Sequence, residues 1–318
     1  MGSKQVRLLV CFLIGTVLFA AGCPGKEGTL IKNIVTRFGK PPVISVYMKD
    51  SGKKVKMDID EYLVGVVAGE MKPGWPLNAY AAQAIIARTF TMEFLSRGGT
   101  RALHGTDIST DEKEAQAYNA KNITPTIRKA VQMTKGLVLT YNNRYIKGWY
   151  SASSGGVTAL AKEGLAYKEA EPPYVQSVKS PEEKVIPKSE LLWQATFTSD
   201  EINQALKKLN QGEVGMVRRF EVVKRGHYRA VGIRIVGDKG TAQVHGADLR
   251  INIGPEKMRS IWLTDISTTG GKVTLKGRGF GHGVGLSQWG AHALARENKS
   301  PEDIVKHFYP KAHVDKIW

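Results

Sequence analysis

The apolar residues that follow residue 58 recur at the three- and four-residue spacing of a helix with one buried face. The residues that set this spacing are Leu63, Val64, Val67 and Ala68. Asp58 and Asp60 are suited to cap the start of the helix, whereas Gly69 and Pro73 are typical of its end. The pattern therefore predicts a helix whose last turn carries Glu70.

A second helix is predicted from about Leu77 to Leu95, because small residues dominate this stretch and let neighbouring helices approach closely. Arg88 lies in this second helix, which we expect to be buried. A buried guanidinium is costly unless it is paired or faces a cavity. The sequence leaves two roles open for Arg88: a functional group that faces a cavity, or the partner of a structural acid.

Two-residue alternation and β-branched residues predict strands in other parts of the chain. Val43–Met48 and Val55–Ile59 are predicted to form an opening hairpin, and Asp200–Leu209 a short helix capped by Ser199 or Asp200. Strand patterns also occur at Leu137–Tyr141, Tyr145–Tyr150, Trp193–Ser199, Met216–Val236, Thr241–Val244, Leu249–Ile253 and Ser260–Ile266.

Together these elements predict an α+β fold, in which the central helix-loop-helix packs with antiparallel β-structure. A doubly wound parallel sheet is not expected, because strands and helices do not alternate along the chain. The folded domain is predicted to span residues 43–318, with a strand-rich insertion around residues 190–265.

The N-terminus has the pattern of an export signal. Lys4 and Arg7 precede an apolar run from Leu8 to Ala21, which is short for a membrane span but suits the apolar region of a signal peptide. We predict a lipoprotein-type signal over residues 1–23 with lipidation at Cys23, followed by a tether over residues 24–42. An uncleaved anchor helix is the alternative, and it gives the same extracytoplasmic, membrane-anchored location. Cys11 is the only other cysteine, so the exported part has no disulfide and no thiolate metal site.

Charge narrows the choice of partner. The 318 residues include 46 Lys and Arg against 29 Asp and Glu, a formal net charge of +17. This balance favours an anionic partner, such as nucleic acid, a membrane surface or an acidic wall polymer. No basic block is interleaved with aromatic residues, and no zinc-finger, helix-turn-helix or RNP pattern occurs. A nucleic-acid partner is therefore not expected.

Glu70 is the main candidate for acid–base chemistry. A carboxylate at a helix C-terminus faces the negative end of the macrodipole, and Met71 and Trp75 add apolar neighbours, so the protonated form is favoured. A glutamic acid protonated near neutral pH can act as a general acid. The alternative is an ordinary solvated glutamate at a helix end.

Glycine occupies five consecutive odd positions from Gly277 to Gly285, which leaves one face of an extended segment bare. A ligand or a neighbouring strand can approach such a face closely. The glycine spacing does not fit a dinucleotide fingerprint. His282 and Gln288 follow at a loop-to-helix junction, where polar groups can converge on a ligand. No second histidine lies at metal-ligand spacing, so no metal is predicted here.

Four motifs, in this order, resemble the SpoIID/LytB family, of the stage II sporulation protein D type. They are Gly69-Glu70-Met71, the AAQAIIAR run of residues 81–88, Ser153-Ser154-Gly155-Gly156 and the GRGFGHGVGLSQWGA run of residues 277–291. The resemblance covers about residues 43–318. Sporulation members of this family are lytic transglycosylases of peptidoglycan, and other members are described as enhancers of a wall amidase.

The resemblance implies that Glu70 is the catalytic acid and that Arg88 is functionally important. Family members commonly carry Cys and His in a segment like Ile108–Tyr118, and some of them bind zinc. This chain has Ser109, Glu114 and Ala115 there, and Ser151 in place of a loop histidine. We therefore expect no zinc and no other cofactor, and we expect this segment to hold its shape by other means.

The predicted activity is cleavage of the bond between N-acetylmuramic acid (MurNAc) and N-acetylglucosamine (GlcNAc) with formation of 1,6-anhydroMurNAc, which needs one carboxylate because the substrate supplies the nucleophile. The glycan-binding residues would be Arg88, His282, Gln288, Ser153, Ser154, Tyr174 and Trp75. Other wall hydrolases are candidate partners. The competing hypothesis is a non-catalytic wall-binding module or amidase enhancer. The site also requires that the glycine-rich segment face Glu70.

Overall fold

The computed structural model describes residues 35–318. The predicted signal peptide, the lipidation site Cys23 and the first part of the tether lie outside the described residues. Over residues 35–318, no helix is both long and apolar enough to cross a membrane. The described chain forms two compact units. Unit 1 comprises residues 35–148, 300–302 and 312–318, and unit 2 comprises residues 149–299 and 303–311.

Unit 1 begins before the predicted domain boundary at residue 43. The backbone N–H of Val35 donates to the carbonyl of Asn143, and that of Phe38 donates to the carbonyl of Ile317. The elements of unit 1 are β1 (Val43–Met48), β2 (Lys53–Asp58), α1 (Ile59–Glu70), α2 (Leu77–Ser96), α3 (Arg101–His104), β3 (Ile108–Ser109), a 3₁₀ turn (Ala120–Asn122), α4 (Pro125–Met133), β4 (Leu137–Tyr141), β5 (Arg144–Tyr145) and β14 (His313–Lys316).

The helix-loop-helix has the bounds that the sequence predicts. Asp58 caps α1, since its side chain accepts a hydrogen bond from the N–H of Asp60, and α1 ends at Glu70. Most of α1 and the middle of α2 are buried. β1 pairs with β2 antiparallel and with β3 in parallel, whereas β4 pairs antiparallel with both β5 and β14. Unit 1 is therefore a buried helical hairpin with two small sheets.

Unit 2 is rich in strands. Its elements are β6 (Tyr150–Ser151), α5 (Ala161–Gly164), a 3₁₀ turn (Pro181–Lys184), α6 (Lys188–Leu191), β7 (Leu192–Thr198), α7 (Ser199–Lys208), β8 (Val217–Arg225), β9 (Ala230–Gly237), β10 (Thr241–His245), α8 (Gly246–Ile253), β11 (Leu263–Thr269), β12 (Lys272–Arg278), β13 (Leu286–Ser287), α9 (Gln288–Arg296) and the part of α10 (Pro301–Phe308) that begins at Asp303.

Two antiparallel sheets of unit 2, ordered β11-β12-β7 and β10-β9-β8, share one apolar core with α7 and α8. Members of this core include Phe197, Ile202, Leu206, Ile233, Ile235 and Leu275. β6 and β13 pair in parallel as a separate short ladder. The predicted α+β class is confirmed, and the sheets are not a doubly wound parallel sheet.

Three predicted details are wrong. Leu249–Ile253 is not a strand but lies in α8, whose first turn is capped by the side chain of His245. The cap of α7 is Thr198, which exchanges side-chain and backbone hydrogen bonds with Glu201 in a capping box. After β4 only Arg144–Tyr145 returns as a strand, because Tyr150–Ser151 pairs with β13 instead.

Candidate active site

The position of Glu70 depends on two glycines of α1. A Cβ atom at Gly65 would lie 2.1 Å from the ring of Tyr118, and one at Gly69 would lie 2.7 Å from the backbone of Ala117. Both distances are shorter than side chains tolerate. The two glycines therefore let residues 117–118 cross directly over the last turns of α1.

That crossing segment holds the carboxylate of Glu70. The backbone N–H of Ala117 donates to Oε1 of Glu70 at 2.8 Å, and only 5% of the Glu70 residue is exposed. The carboxylate lies at the last residue of α1, where the macrodipole disfavours negative charge. The last turn of α1 contains no basic residue that would offset this effect. The structure thus fixes one nearly buried carboxyl group at an electrostatically unfavourable helix end.

The segment Ile108–Tyr118 is shaped by polar contacts. The carboxylate of Asp111 accepts from the N–H of Lys113 and pairs with Lys49 at 2.9 Å. Gln116 donates to the hydroxyl of Thr91 on α2. Neighbouring hydrogen bonds lower the pKa of Asp111 although its partial burial acts in the opposite direction. These contacts anchor both ends of the segment that presents Ala117 to Glu70.

Trp75 lies in the loop between α1 and α2 and is half-buried. Its backbone N–H donates to the hydroxyl of Tyr80 at 3.1 Å, and that hydroxyl donates to the carbonyl of Lys72 at 2.7 Å. Tyr80 is itself buried at the start of α2. The loop that follows Glu70 is therefore fixed from inside.

Arg88 is a fully buried member of an ion pair. Its Nε and Nη2 donate to Oδ1 of Asp60 at 3.1 and 2.8 Å, and its remaining N–H groups donate to the carbonyls of Thr134, Leu137 and Val131. All five N–H donors of the guanidinium are thus used. Burial lowers the pKa of Arg88, and Asp60 opposes that shift.

Arg88 has no donor left for a sugar in this arrangement. Its acid partner, Asp60, lies in the first turn of α1, whereas Glu70 is the last residue of that helix. Ten residues of helix correspond to roughly 15 Å. Arg88 therefore pairs with a structural acid, which was the second of its two possible roles, and it neither orients Glu70 nor offers a group to a glycan.

In unit 2, the Ser153-Ser154-Gly155-Gly156 loop wraps around Glu182, a residue that no pattern in the sequence singles out. The carboxylate of Glu182 is completely buried. It accepts hydrogen bonds from the hydroxyls of Ser153, Ser154, Ser180 and Ser287 and from the N–H groups of Ser154 and Gly155.

The hydroxyls of Ser153 and Ser154 are therefore occupied inside the protein. Both residues are buried, so their hydroxyls are not presented to a ligand as the sequence analysis predicts. Ser287, another partner of Glu182, also accepts from the N–H of Gly290 and caps α9. One carboxylate thus ties the loop to the start of the helix that carries Gln288. Local sequence holds no signal for this contact, because the partners of Glu182 are up to 105 residues away.

The glycine-rich segment is not extended. Four of its glycines, Gly279, Gly281, Gly283 and Gly285, have φ values of 86°, 107°, 75° and 72°, a region that disfavours other residues. A Cβ at Gly281 would lie 2.7 Å from Cβ of Ser151, and one at Gly285 would lie 2.2 Å from the carbonyl oxygen of Trp149. The sequence allowed either a ligand or a neighbouring strand to approach this bare face. In the structure, a neighbouring segment of the chain covers it.

His282 is buried and neutral. Its Nδ1 accepts from the N–H of Val284 at 3.0 Å, which places the remaining proton on Nε2. Burial lowers the pKa of His282 to about 3, and the charges of Arg250 and Arg229 act in the same direction. His282 can donate a hydrogen bond, but it is not a proton carrier near neutral pH.

The other predicted contacts differ in their exposure. Gln288 is largely buried at the start of α9. Tyr174 is half-buried, with its ring centroid 6.5 Å from that of Tyr309. Over the described residues, no group of three or more His, Cys, Asp or Glu side chains could hold a metal ion.

Comparison with known proteins identifies two matched segments. Residues 47–141 match the SpoIID family model, described as stage II sporulation protein, and residues 187–285 match a domain of unknown function. The first segment contains Glu70 and Arg88 in unit 1. The second contains the two larger sheets and the core of unit 2.

Full-length relatives extend the match. Stage II sporulation protein D of Bacillus subtilis (strain 168) is 33% identical over 291 residues, which cover 87% of this chain and 80% of the relative. The protein of the same name from Bacillus amyloliquefaciens is 32% identical over 281 residues, or 85% of this chain and 77% of the relative. The amidase enhancer of Bacillus subtilis (strain 168) is 27% identical over 294 residues, which cover 78% of this chain but 39% of that protein. The chain thus belongs to the stage II sporulation protein D (SpoIID) family.

Proposed function

We propose that this protein is a peptidoglycan lytic transglycosylase that cleaves the MurNAc–GlcNAc bond and leaves a 1,6-anhydroMurNAc end, with a role in the engulfment stage of sporulation. The observation that carries the proposal is the placement of Glu70. Its nearly buried carboxyl is fixed by the N–H of Ala117 at the C-terminal end of a buried helix. The macrodipole disfavours a negative charge at this position, and carboxyl groups in such environments cluster at functional sites.

The reaction needs one group that first gives a proton and then takes one. Glu70 protonates the glycosidic oxygen as the bond to C1 of MurNAc breaks. The resulting carboxylate then removes the proton from the C6 hydroxyl of the same MurNAc, and that oxygen attacks C1. Glu70 ends in its starting protonation state, and no water enters the product.

The structure shortens the set of residues that we propose to contact the glycan. Trp75, in the fixed loop that follows Glu70, offers an apolar ring. In unit 2, the candidates that remain are Gln288 at the start of α9, the buried His282 and the half-buried Tyr174. Arg88, Ser153 and Ser154 are not included, because their polar groups are taken up by Asp60 and Glu182.

We further propose that the protein is exported, is held at the membrane by a lipid on Cys23 and faces the cell wall. The names of the two sporulation relatives support a wall-facing role, and the apolar run over residues 8–21 supports export. Other wall hydrolases are the proposed partners.

A second candidate function is that of an amidase enhancer or a non-catalytic wall-binding module. The amidase enhancer relative and the net charge of +17 favour it. Digestion of purified glycan strands, followed by mass spectrometry of the products, separates the two. A transglycosylase yields anhydro ends, a hydrolase yields reducing ends, and a binding module leaves the strands intact. Absence of anhydro ends with active, folded protein would contradict the first proposal.

A further inference from the structure

A rigid aromatic pair, Tyr228 and Trp262, lies on the surface of unit 2. Tyr228, in the turn between β8 and β9, is 42% exposed. Over the described residues it is the single aromatic among the strongly exposed large apolar side chains. Its ring stacks on Trp262, with the ring centroids 4.5 Å apart and the planes 18° from parallel.

Two arginines fix the indole beneath Tyr228. The guanidinium carbons of Arg229 and Arg278 lie 4.9 and 5.0 Å from the ring centroid of Trp262. Arg229 is buried and donates to the carbonyls of Ser154 and Val157. Arg278 pairs with Glu183. Because both cations are anchored elsewhere, the plane of the aromatic pair is set before any ligand arrives.

The pair adjoins the loop that wraps Glu182. A Cβ at Gly155 would lie 2.9 Å from Cε3 of Trp262, so this glycine lets the indole pack on the loop. The serine hydroxyls of the loop point to Glu182 and are buried. The groups that this region presents to a ligand are therefore the outer face of Tyr228 and the polar side chains around it.

These surroundings suit a sugar ring. A pyranose has an apolar face of C–H groups and polar hydroxyl and acetamide groups at its edge. An exposed ring that is already packed supplies the apolar partner with little loss of conformational entropy. His227, whose ring centroid is 5.0 Å from that of Tyr228, and the partly exposed Arg278 supply polar groups at the rim.

We propose that Tyr228 and Trp262 form a glycan-binding subsite, in which an N-acetylhexosamine ring stacks on the exposed face of Tyr228 and His227 and Arg278 bind its oxygens. The subsite gives a role to the segment that matches a domain of unknown function. The proposal rests on the proposed function in one respect only, namely that the ligand is a glycan strand.

The test is titration of the GlcNAc tetramer into the full chain carrying Glu70→Gln, which prevents turnover. Adding Tyr228→Ala weakens binding by about ten-fold, the size expected when one stacking partner is lost. Tyr228→Phe keeps the stacking ring and leaves the Kd within about two-fold. Met216→Ala, which removes another exposed apolar side chain of unit 2, leaves the Kd unchanged. Urea unfolding curves check that every variant is folded.

An unchanged Kd for folded Tyr228→Ala overturns the subsite. An equal loss of affinity in Met216→Ala overturns it too, as does a failure of the Glu70→Gln protein with Tyr228 intact to bind the tetramer. These outcomes are separate from the fate of the proposed reaction. If the protein binds the tetramer through Tyr228 but produces no anhydro ends from glycan strands, the subsite stands and the transglycosylase assignment falls. If anhydro ends form and depend on Glu70 while Tyr228→Ala binds normally, the reverse holds.

Discussion

Two buried glutamates, one in each unit, are held in opposite ways. Glu182 of unit 2 is completely buried and accepts hydrogen bonds from four serine hydroxyls and two backbone N–H groups. Glu70 of unit 1 accepts from the N–H of Ala117 at the C-terminal end of α1, where a negative charge is disfavoured. The donors around Glu182 offset the cost of burying its charge, whereas the macrodipole of α1 disfavours a negative charge at Glu70.

The same contrast applies to the other predicted site residues. Arg88, Ser153 and Ser154 belong with Glu182, because each of them directs its polar groups to a partner inside its own unit. Gln288 is also largely buried, at the start of α9. Saturation of polar groups inside the protein therefore marks residues that the fold needs.

The largest expected effect is the loss of stability in Glu182→Ala. The substitution leaves six buried donors without their acceptor, so we expect the free energy of unfolding to fall by about 3–5 kcal/mol. Urea unfolding measures this change. Glu183→Ala is the matched control, because its neighbouring carboxylate is mostly exposed and pairs with Arg278 at the surface. We expect that control to lose less than about 1 kcal/mol. Equal losses in the two variants would remove the basis of the comparison.

Arg88→Lys is expected to have the next largest effect. An ammonium group cannot reproduce the five N–H hydrogen bonds to Asp60 and three carbonyls. We therefore expect the free energy of unfolding to fall by at least about 2 kcal/mol. Arg128→Lys, which changes an exposed pair with Glu61, is the control and should stay within about 1 kcal/mol. Glycan cleavage per folded molecule should be unchanged in Arg88→Lys. A loss of cleavage with no loss of stability would instead place Arg88 in the chemistry.

A smaller effect is expected from His282 as the pH is varied. Burial lowers its pKa to about 3, compared with about 6.5 in an unfolded chain. Between these values the unfolded chain binds a proton that the folded chain does not, so the free energy of unfolding falls as the solution is acidified. The slope is at most about 1.4 kcal/mol per pH unit.

Urea unfolding of wild type and His282→Gln between about pH 6.5 and pH 4 measures this slope. In His282→Gln, the free energy of unfolding should lose the part of its pH dependence that comes from the uptake of up to one proton on unfolding. His313→Gln, at an exposed position, should behave as wild type. Identical slopes in wild type and His282→Gln would show that His282 is not held neutral by burial.

The sequence predicts the local features of unit 1 well. Capping by Asp58, the apolar period of α1 and the break at residues 71–76 are all encoded within a few residues, and the observed bounds of α1 and α2 follow from them. Glu70 could be chosen for the same reason, because its position at a helix end is a local property.

What the sequence could not reveal depends on distant contacts. No local pattern in the sequence marks Glu182 as a buried acceptor, since its partners come from residues 153–155, 180 and 287. The partners of Arg88 likewise lie 28 to 49 residues away, so periodicity could not decide between its two roles. The stretch Leu249–Ile253 suits a strand by composition, but the cap supplied by His245 and packing in the core of unit 2 make it helical.

The most direct test of the contrast is the yield of 1,6-anhydroMurNAc ends from purified glycan strands for wild type and Glu70→Gln, with the unfolding free energy of each protein measured alongside. Glutamine keeps the shape of the side chain and an acceptor for the N–H of Ala117, but it cannot donate and retrieve a proton. We expect the yield to fall by about 10²- to 10⁴-fold while the variant is as stable as wild type or more so. A folded Glu70→Gln protein that retains the full yield would contradict the role assigned to Glu70.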